Sequence, residues 1–364
     1  MEHGSHSPRR IAATVALLVG GCTAVAVGIG LVPHLVKVGV SASSVVAVAS
    51  LAIGVTALVV AGRRTLGAMR WPARVATVLA SVLALIVTVM VVSPAVAATR
   101  VPPTEIGAVP ADRGLTATDV VVTTDDGVDL AGWWIASAND AAVMLLHGAG
   151  STRSSVLPQA EVLAGAGFGV LLVDSHGHGD SAGRAMDFGW QGDEEVAAGV
   201  RYLTAEAGIS PERIGLVGMS MGGEQAIGAS ATTPVAAVVA EGATGRTAED
   251  KQWLGDEYGW RGSLQQAIER AQYGLTDLLT PASPPTPLRR AVADADRSFF
   301  LLITAGEIPD EASAANHIAT GAPDRVAQWN VAGAGHTDGL EREPEQWTDQ
   351  VVGFLERHLL QGGR

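Results

Sequence analysis

Cysteine is nearly absent. Cys22 is the only one in 364 residues, which excludes a disulfide-stapled scaffold. Lysine is almost as scarce, with only Lys37 and Lys251, and basic charge thins out where the chain is most polar. Residues 101–364 carry 16 Lys/Arg against 36 Asp/Glu, a balance of −20, whereas residues 1–100 carry eight against one, or +7; the whole chain stands at −13. An acidic half without clustered cations lacks what phosphate contacts need, so nucleic acid is excluded as a partner. With 48% apolar residues, disorder and collagen-like architecture are excluded as well.

Charge of either sign is missing from three long runs, Ile11–Val32, Val38–Ala61 and Val75–Ala98, of 22, 24 and 24 residues. At 1.5 Å per residue each crosses a hydrocarbon core of ~30 Å, so three transmembrane spans are predicted within residues 1–98, with Pro33 separating the first two. Arg63, Arg64, Arg70 and Arg74 fill the connection between the second and third, on the same side as Arg9 and Arg10, while Lys37, Arg100 and Arg113 fall opposite. The positive-inside rule then places the amino end in the cytoplasm and residues from about 99 onward outside a cell membrane crossed several times. No ionisable residue lies inside a span, so a transporter has no carrier for protons or ions. Two further spans after the first argue against a secreted protein. Ala95-Val96-Ala97 has the small-x-small form of a signal-peptidase site, but retention is favoured over release.

Pro102, Pro103 and Pro110 mark a linker over 99–114, after which 115–364 has the length of one α/β domain. Strands are predicted at Asp119–Thr123, Val128–Ile135, Ala142–Leu146, Gly169–Asp174, Ile214–Gly218, Val235–Ala240, Phe299–Thr304 and Arg325–Val331. Helical patterns occupy 154–165, 192–207, 221–232, 311–320 and 344–360. Continuous apolar runs such as Val170-Leu171-Leu172-Val173 mark a mostly parallel eight-stranded sheet with helices on both faces, whose chemistry gathers at the carboxyl ends of the strands. Residues 244–297 interrupt the alternation with Trp253, Tyr258, Trp260, Tyr273 and a proline-rich stretch, too long for a connector and read as a small lid.

Gly218-Met219-Ser220-Met221-Gly222 matches the G-x-S-x-G elbow, and so does Gly179-Asp180-Ser181-Ala182-Gly183. Context separates them. Ile214–Val217 is a buried strand running into Gly218 with a helical pattern behind Met221, the strand–turn–helix that presents a nucleophile, whereas Ser181 follows its strand by a long Gly/His loop. Ser220 is therefore the predicted nucleophile. Its base must follow it in this architecture, and His336, in the glycine-rich loop Gly333–Gly339 after the last strand, is preferred over His317 and His358, which fall within helices. The acid is sought after the seventh strand, where Glu307, Asp310 and Glu311 lie close together. Asp310 is preferred because Pro309 shapes the turn before it, with Glu307 as the alternative and Glu311 and Glu241 also carrying suitable carboxylates. The backbone N–H groups of Met221 and Ala149 are the predicted oxyanion hole, with His147 bracing the loop. His176 and His178 form a lone H-x-H, too sparse for a metal site, so neither metal nor cofactor is expected.

Together these motifs resemble the α/β-hydrolase superfamily, in its bacterial esterase and serine-aminopeptidase-like branch. They are the H-G-x-G loop at His147–Gly150, the D-x-R-G-H-G-x-S loop at Asp174–Ser181, the elbow at Ser220 and the G-x-G-H loop ending at His336. The likeness spans roughly 115–360 and implies a serine hydrolase working through an acyl-enzyme, with Ser220, Asp310 and His336 as triad. Two departures stand out. His176 occupies the place of the usual arginine, and the acid loop lacks G-x-x-D spacing. The expected substrate is a small ester or lipid-like molecule, with membrane lipids as neighbours. The rival readings are an acyltransferase or peptidase using the same triad, and a membrane-anchored binding or scaffold protein on a hydrolase fold.

Overall fold

The computed structural model describes residues 8–67 and 69–361. Three helices come first: α1 (Pro8–Val38), α2 (Ala42–Leu66) and α3 (Trp71–Thr99), all long and apolar enough to cross a membrane. The expectation that Pro33 ends the first run is corrected, because α1 continues through it for five more residues. A proline removes one backbone hydrogen bond without having to end a helix, and α1 runs on for a last turn over His34–Val38. Small residues let the helices touch. A Cβ on Gly54 of α2 would lie 2.7 Å from the Val25 backbone nitrogen of α1, and one on Gly30 would lie 2.7 Å from the Ser93 carbonyl oxygen of α3.

These three helices and the segment Ala267–Leu279 form one compact unit; the remainder, beginning at Pro103, forms the other. The second unit is built on eight strands: β1 (Thr118–Thr123), β2 (Asp129–Ile135), β3 (Ala142–Leu146), β4 (Gly169–Val173), β5 (Ile214–Met219), β6 (Ala237–Glu241), β7 (Phe299–Ala305) and β8 (Val326–Val331). They lie in the order β1-β2-β4-β3-β5-β6-β7-β8. The pairs β1/β2 and β2/β4 are antiparallel, and every later pair is parallel.

The central strands are buried from end to end because both faces are covered. Alternate residues feed two apolar layers: Met144, Leu146, Leu216 and Val238 on one face, Val143, Leu145, Val217 and Val239 on the other. Each such side chain contributes roughly 1.5–3 kcal/mol when fully buried. Helices α4 (Leu157–Gly165), α5 (Gly192–Ala205), α6 (Met221–Ala229), α10 (Pro309–Ala319), α11 (Gly339–Arg342) and α12 (Pro344–Leu355) accompany the sheet. Between β6 and β7 stand α7 (Trp253–Tyr258), α8 (Trp260–Leu279) and α9 (Leu288–Asp294). Trp253 and Leu254 pack with Ala314 of α10, while Leu288, Ala291 and Val292 join the core layer of Leu216 and Val238.

Candidate active site

Strand β5 ends at Met219 and α6 begins at Met221, so Ser220 alone makes the turn, with φ 53° and ψ −118°. A non-glycine residue held there costs of order 1–3 kcal/mol and persists only where its surroundings enforce it. The surroundings are visible. The Ser220 N–H donates to the Glu241 carbonyl at the end of β6, 2.7 Å away, and the two flanking glycines have no room for a side chain. A Cβ on Gly218 would fall 2.2 Å from the Gly222 carbonyl oxygen, and one on Gly222 would fall 2.4 Å from the carbonyl oxygen of Leu146 in β3. These obstacles are backbone and cannot swing aside. Gly222→Ala is therefore expected to lower stability by about 1–3 kcal/mol through overpacking, read as a fall in the thermal or denaturant midpoint.

His336 follows β8 on a loop and reaches back to the turn. Its Nε2 lies 2.8 Å from Ser220 Oγ, and its Nδ1 lies 2.6 Å from Glu311 Oε1. Glu311 is 1% exposed, and its other oxygen accepts the Ala305 N–H at 2.8 Å, which fixes the carboxylate against the end of β7. The bond to Glu311 raises the His336 pKa above 6.5, outweighing the opposing effect of burial. Gly242, at φ 73°, makes space for the ring, since a Cβ there would lie 2.9 Å from His336 Cε1.

The acid assignment from sequence is thereby corrected. Asp310 does not meet His336; its Oδ1 accepts the hydroxyl of Tyr258 in α7. Glu307 is exposed on the preceding loop. The reason is the start of α10 at Pro309, a residue suited to the first helical position, which puts Asp310 and Glu311 in the first turn about 100° apart. One carboxylate turns outward and the next turns in. Glu241, another of the weighed acids, is 2% exposed and accepts the Gly339 N–H at 2.8 Å and the Trp347 Nε1–H at 2.9 Å. Burial raises its pKa. Its backbone thus holds the turn at Ser220, and its side chain holds the far end of the His336 loop.

Ser220 and His336 open onto a cavity of about 330 Å³ lined also by Ala149, Gln159, Met219 and Thr337. Met221 is the first residue of α6, so its N–H has no partner within the helix and stands beside the Ser220 turn. The loop carrying Ala149 passes close enough that a Cβ on Gly148 would lie 3.4 Å from Ser220 Cβ. Two buried imidazoles brace it. His147 Nδ1–H donates to the Gly148 carbonyl at 2.8 Å and its Nε2 accepts the Ser175 N–H at 3.1 Å, while burial lowers its pKa to about 4 and keeps it neutral. His178 accepts the Gly150 N–H on Nε2 at 3.0 Å and donates from Nδ1 to the His176 carbonyl. His176 is tied through both its N–H and its Nδ1 to Glu195 Oε1, at 2.8 and 2.7 Å.

Ser181, from the second G-x-S-x-G match, is structural: its hydroxyl donates to the Asp174 carbonyl at 2.6 Å and accepts the Ala131 N–H at 2.9 Å. The cation of this loop went unnoticed in the sequence. It is Arg153, 5% exposed, which pairs with Asp174 and with Asp180 at 2.8 Å and lies 4.4 Å above the Trp133 ring. Its place shortly after the His147–Gly150 loop was the available signal. His358, left out of the site, stacks on Phe299 at 4.2 Å.

Comparison with known proteins agrees with this architecture. Residues 137–275 match the family described as serine aminopeptidase, S33. An uncharacterized protein of Mycobacterium tuberculosis is 35% identical over 124 residues, 33% of this chain and 43% of that protein. A thiohydrolase of Aspergillus aculeatus is 37% identical over 120 residues, 32% of this chain and 37% of its own. The chain thus spans less than half the length of these curated relatives. Among solved structures, an esterase of Pyrococcus furiosus superposes with a TM-score of 0.54 at 25% identity, covering 71% of this chain and 99% of that one. The α/β hydrolase GrgF of a Penicillium species gives 0.52 at 20% identity, covering 68% and 100%. With its eight-stranded, mostly parallel sheet, the chain has the α/β-hydrolase fold, is similar over residues 137–275 to the S33 serine aminopeptidase family, and carries three long apolar helices ahead of that fold in the sequence.

Proposed function

We propose that this protein is a membrane-anchored serine hydrolase that cleaves an ester through an acyl-enzyme on Ser220. One observation carries the reading: the continuous chain of contacts from Ser220 Oγ through the His336 ring to the buried Glu311 carboxylate. In this reading His336 Nε2 takes the hydroxyl proton as Oγ attacks the substrate carbonyl, and Glu311 holds the ring and stabilises the imidazolium that forms. The N–H groups of Met221 and Ala149 receive the oxyanion, aided by the positive end of α6. Collapse expels the alcohol with the proton from His336. Water, deprotonated by the same ring, then attacks the acyl-Ser220 carbonyl and releases the acid. The Pyrococcus furiosus neighbour, described as an esterase, supports an ester over an amide.

The test is turnover by the full chain in detergent or nanodiscs on soluble esters and thioesters of graded acyl length. Hydrolysis of at least the shorter esters is expected; none from folded protein would refute the reading. The anchoring half predicts an amino end in the cytoplasm and a hydrolase domain outside, supported by the arginines at 9, 10, 63, 64, 70 and 74. Tags at the two termini of intact cells report it: protease should remove the carboxyl-terminal tag and spare the other, and a shielded carboxyl end would contradict the topology.

A further inference from the structure

Helix α8 is oriented the wrong way for a helix in water. Trp260, Leu264, Ile268, Ala271, Leu275 and Leu278 recur at spacings of three and four, which gathers them within an arc of about 80°. A helix on a water-soluble domain turns such a stripe toward the core. Here Trp260 is 73% exposed, Leu264 54% and Leu278 81%, Ala271 is exposed as well, and Ile268 and Leu275 are half-buried. The opposite side is the one that packs. Gly262 and Thr276 are buried, the Gln272 side chain donates to the Met90 carbonyl of α3 at 2.6 Å, and Gln265, Glu269 and Tyr273 all have interaction partners. The packed side centres roughly 130° from the stripe.

An apolar stripe held outward implies an apolar surrounding. The second half of the helix, Ala267–Leu279, belongs to the compact unit of α1, α2 and α3, not to the sheet domain. Counted from Val75, just past Arg70 and Arg74, a ~30 Å hydrocarbon core ends near Pro94, so Met90 lies about 6 Å inside its far edge. An amphipathic helix lying in the interface sinks ~5–10 Å into the same boundary. Trp260 at the start of the helix is the residue type that gathers at that level. Arg261 and Arg270 are balanced by Glu269 and Asp277, so the attraction is apolar and does not call for anionic lipid.

Resting on the membrane-anchored part of the reading above, we propose that α8 lies in the plane of the bilayer that α1, α2 and α3 cross, its stripe from Trp260 to Leu278 seated among lipid chains in the leaflet that α3 reaches at its carboxyl end. The occupant of the stripe is lipid, not a protein.

The test uses the full chain with Cys22→Ala, reconstituted in nanodiscs of zwitterionic phosphatidylcholine, with one nitroxide label attached at Leu264→Cys or Leu278→Cys on the stripe, or at Arg270→Cys or Asp277→Cys off it. Labels at 264 and 278 should be relaxed by lipid-soluble oxygen and shielded from a water-soluble nickel chelate, and labels at 270 and 277 should show the reverse. Nickel accessibility at 264 and 278 would overturn the proposal. So would shielding from both relaxants with dipolar broadening that disappears on dilution with unlabelled chain, which would mark a second copy on the stripe. A label at Leu83→Cys in α3 separates the two claims: if it also meets the chelate, the anchoring itself fails, whereas lipid exposure at 83 with aqueous exposure at 264 and 278 sinks only the placement of α8.

Discussion

Ser220→Ala should lower kcat on an ester by about 10^6, the scale seen when a triad nucleophile is removed. The substitution deletes one oxygen and keeps the rest of the turn. Its φ of 53° is enforced by the bond from the Ser220 backbone to Glu241 and by the closeness of Gly218 and Gly222, none of which involves Oγ. The thermal midpoint should therefore move little while turnover is lost. Residual rate above background would come from Met221 and Ala149, since an oxyanion hole works without the nucleophile. Full activity in Ser220→Ala would remove Ser220 from the chemistry.

The second large effect separates adjacent carboxylates. Glu311→Gln should lower kcat by about 10^4, the cost when the triad acid is replaced by its amide and the imidazole loses its orienting charge. Asp310→Asn should change kcat only slightly, since Asp310 faces Tyr258 and an amide oxygen still accepts that hydroxyl. The pH profile gives an independent readout. His336 serves as base only when neutral, and its pKa is raised chiefly by the bond to Glu311, so kcat/KM of the unmodified protein should fall on the acid side with a midpoint above 6.5. Glu311→Gln should move that midpoint down. If Asp310→Asn were the damaging change, or if the limb did not move in Glu311→Gln, the relay would be misassigned.

That adjacent pair also shows where sequence reasoning stopped. The eight strands were legible because their apolar runs are long and flanked by turns; the observed ends differ from those expected by a residue or two. The turn at Ser220 was legible because a buried strand, a small-residue motif and a helical pattern coincide there, and no such coincidence surrounds Ser181. The acid was not. Asp310 and Glu311 are neighbours of the same charge, and which one faces inward depends on a helix starting at Pro309 instead of after Asp310. One residue of helix boundary is a rotation of about 100°, finer than propensity can resolve. The longer glutamate side chain then spans from Ala305 to His336. Arg153 escaped notice for a related reason: nothing local marks an arginine for burial, and its partners Asp174 and Asp180 lie more than twenty residues further on. The outward stripe of α8 has the periodicity of any amphipathic helix. Only side-chain exposure distinguishes it, and exposure is a property of the assembled chain.

Reaction of the folded full chain with a fluorophosphonate, followed by mass mapping of the adduct, tests the central claim most directly. The account predicts a stoichiometric adduct on Ser220, lost in Ser220→Ala and strongly slowed in His336→Ala, because only a hydroxyl activated by the neighbouring imidazole attacks phosphorus quickly. An unlabelled folded protein, or an adduct on any other serine, would contradict it.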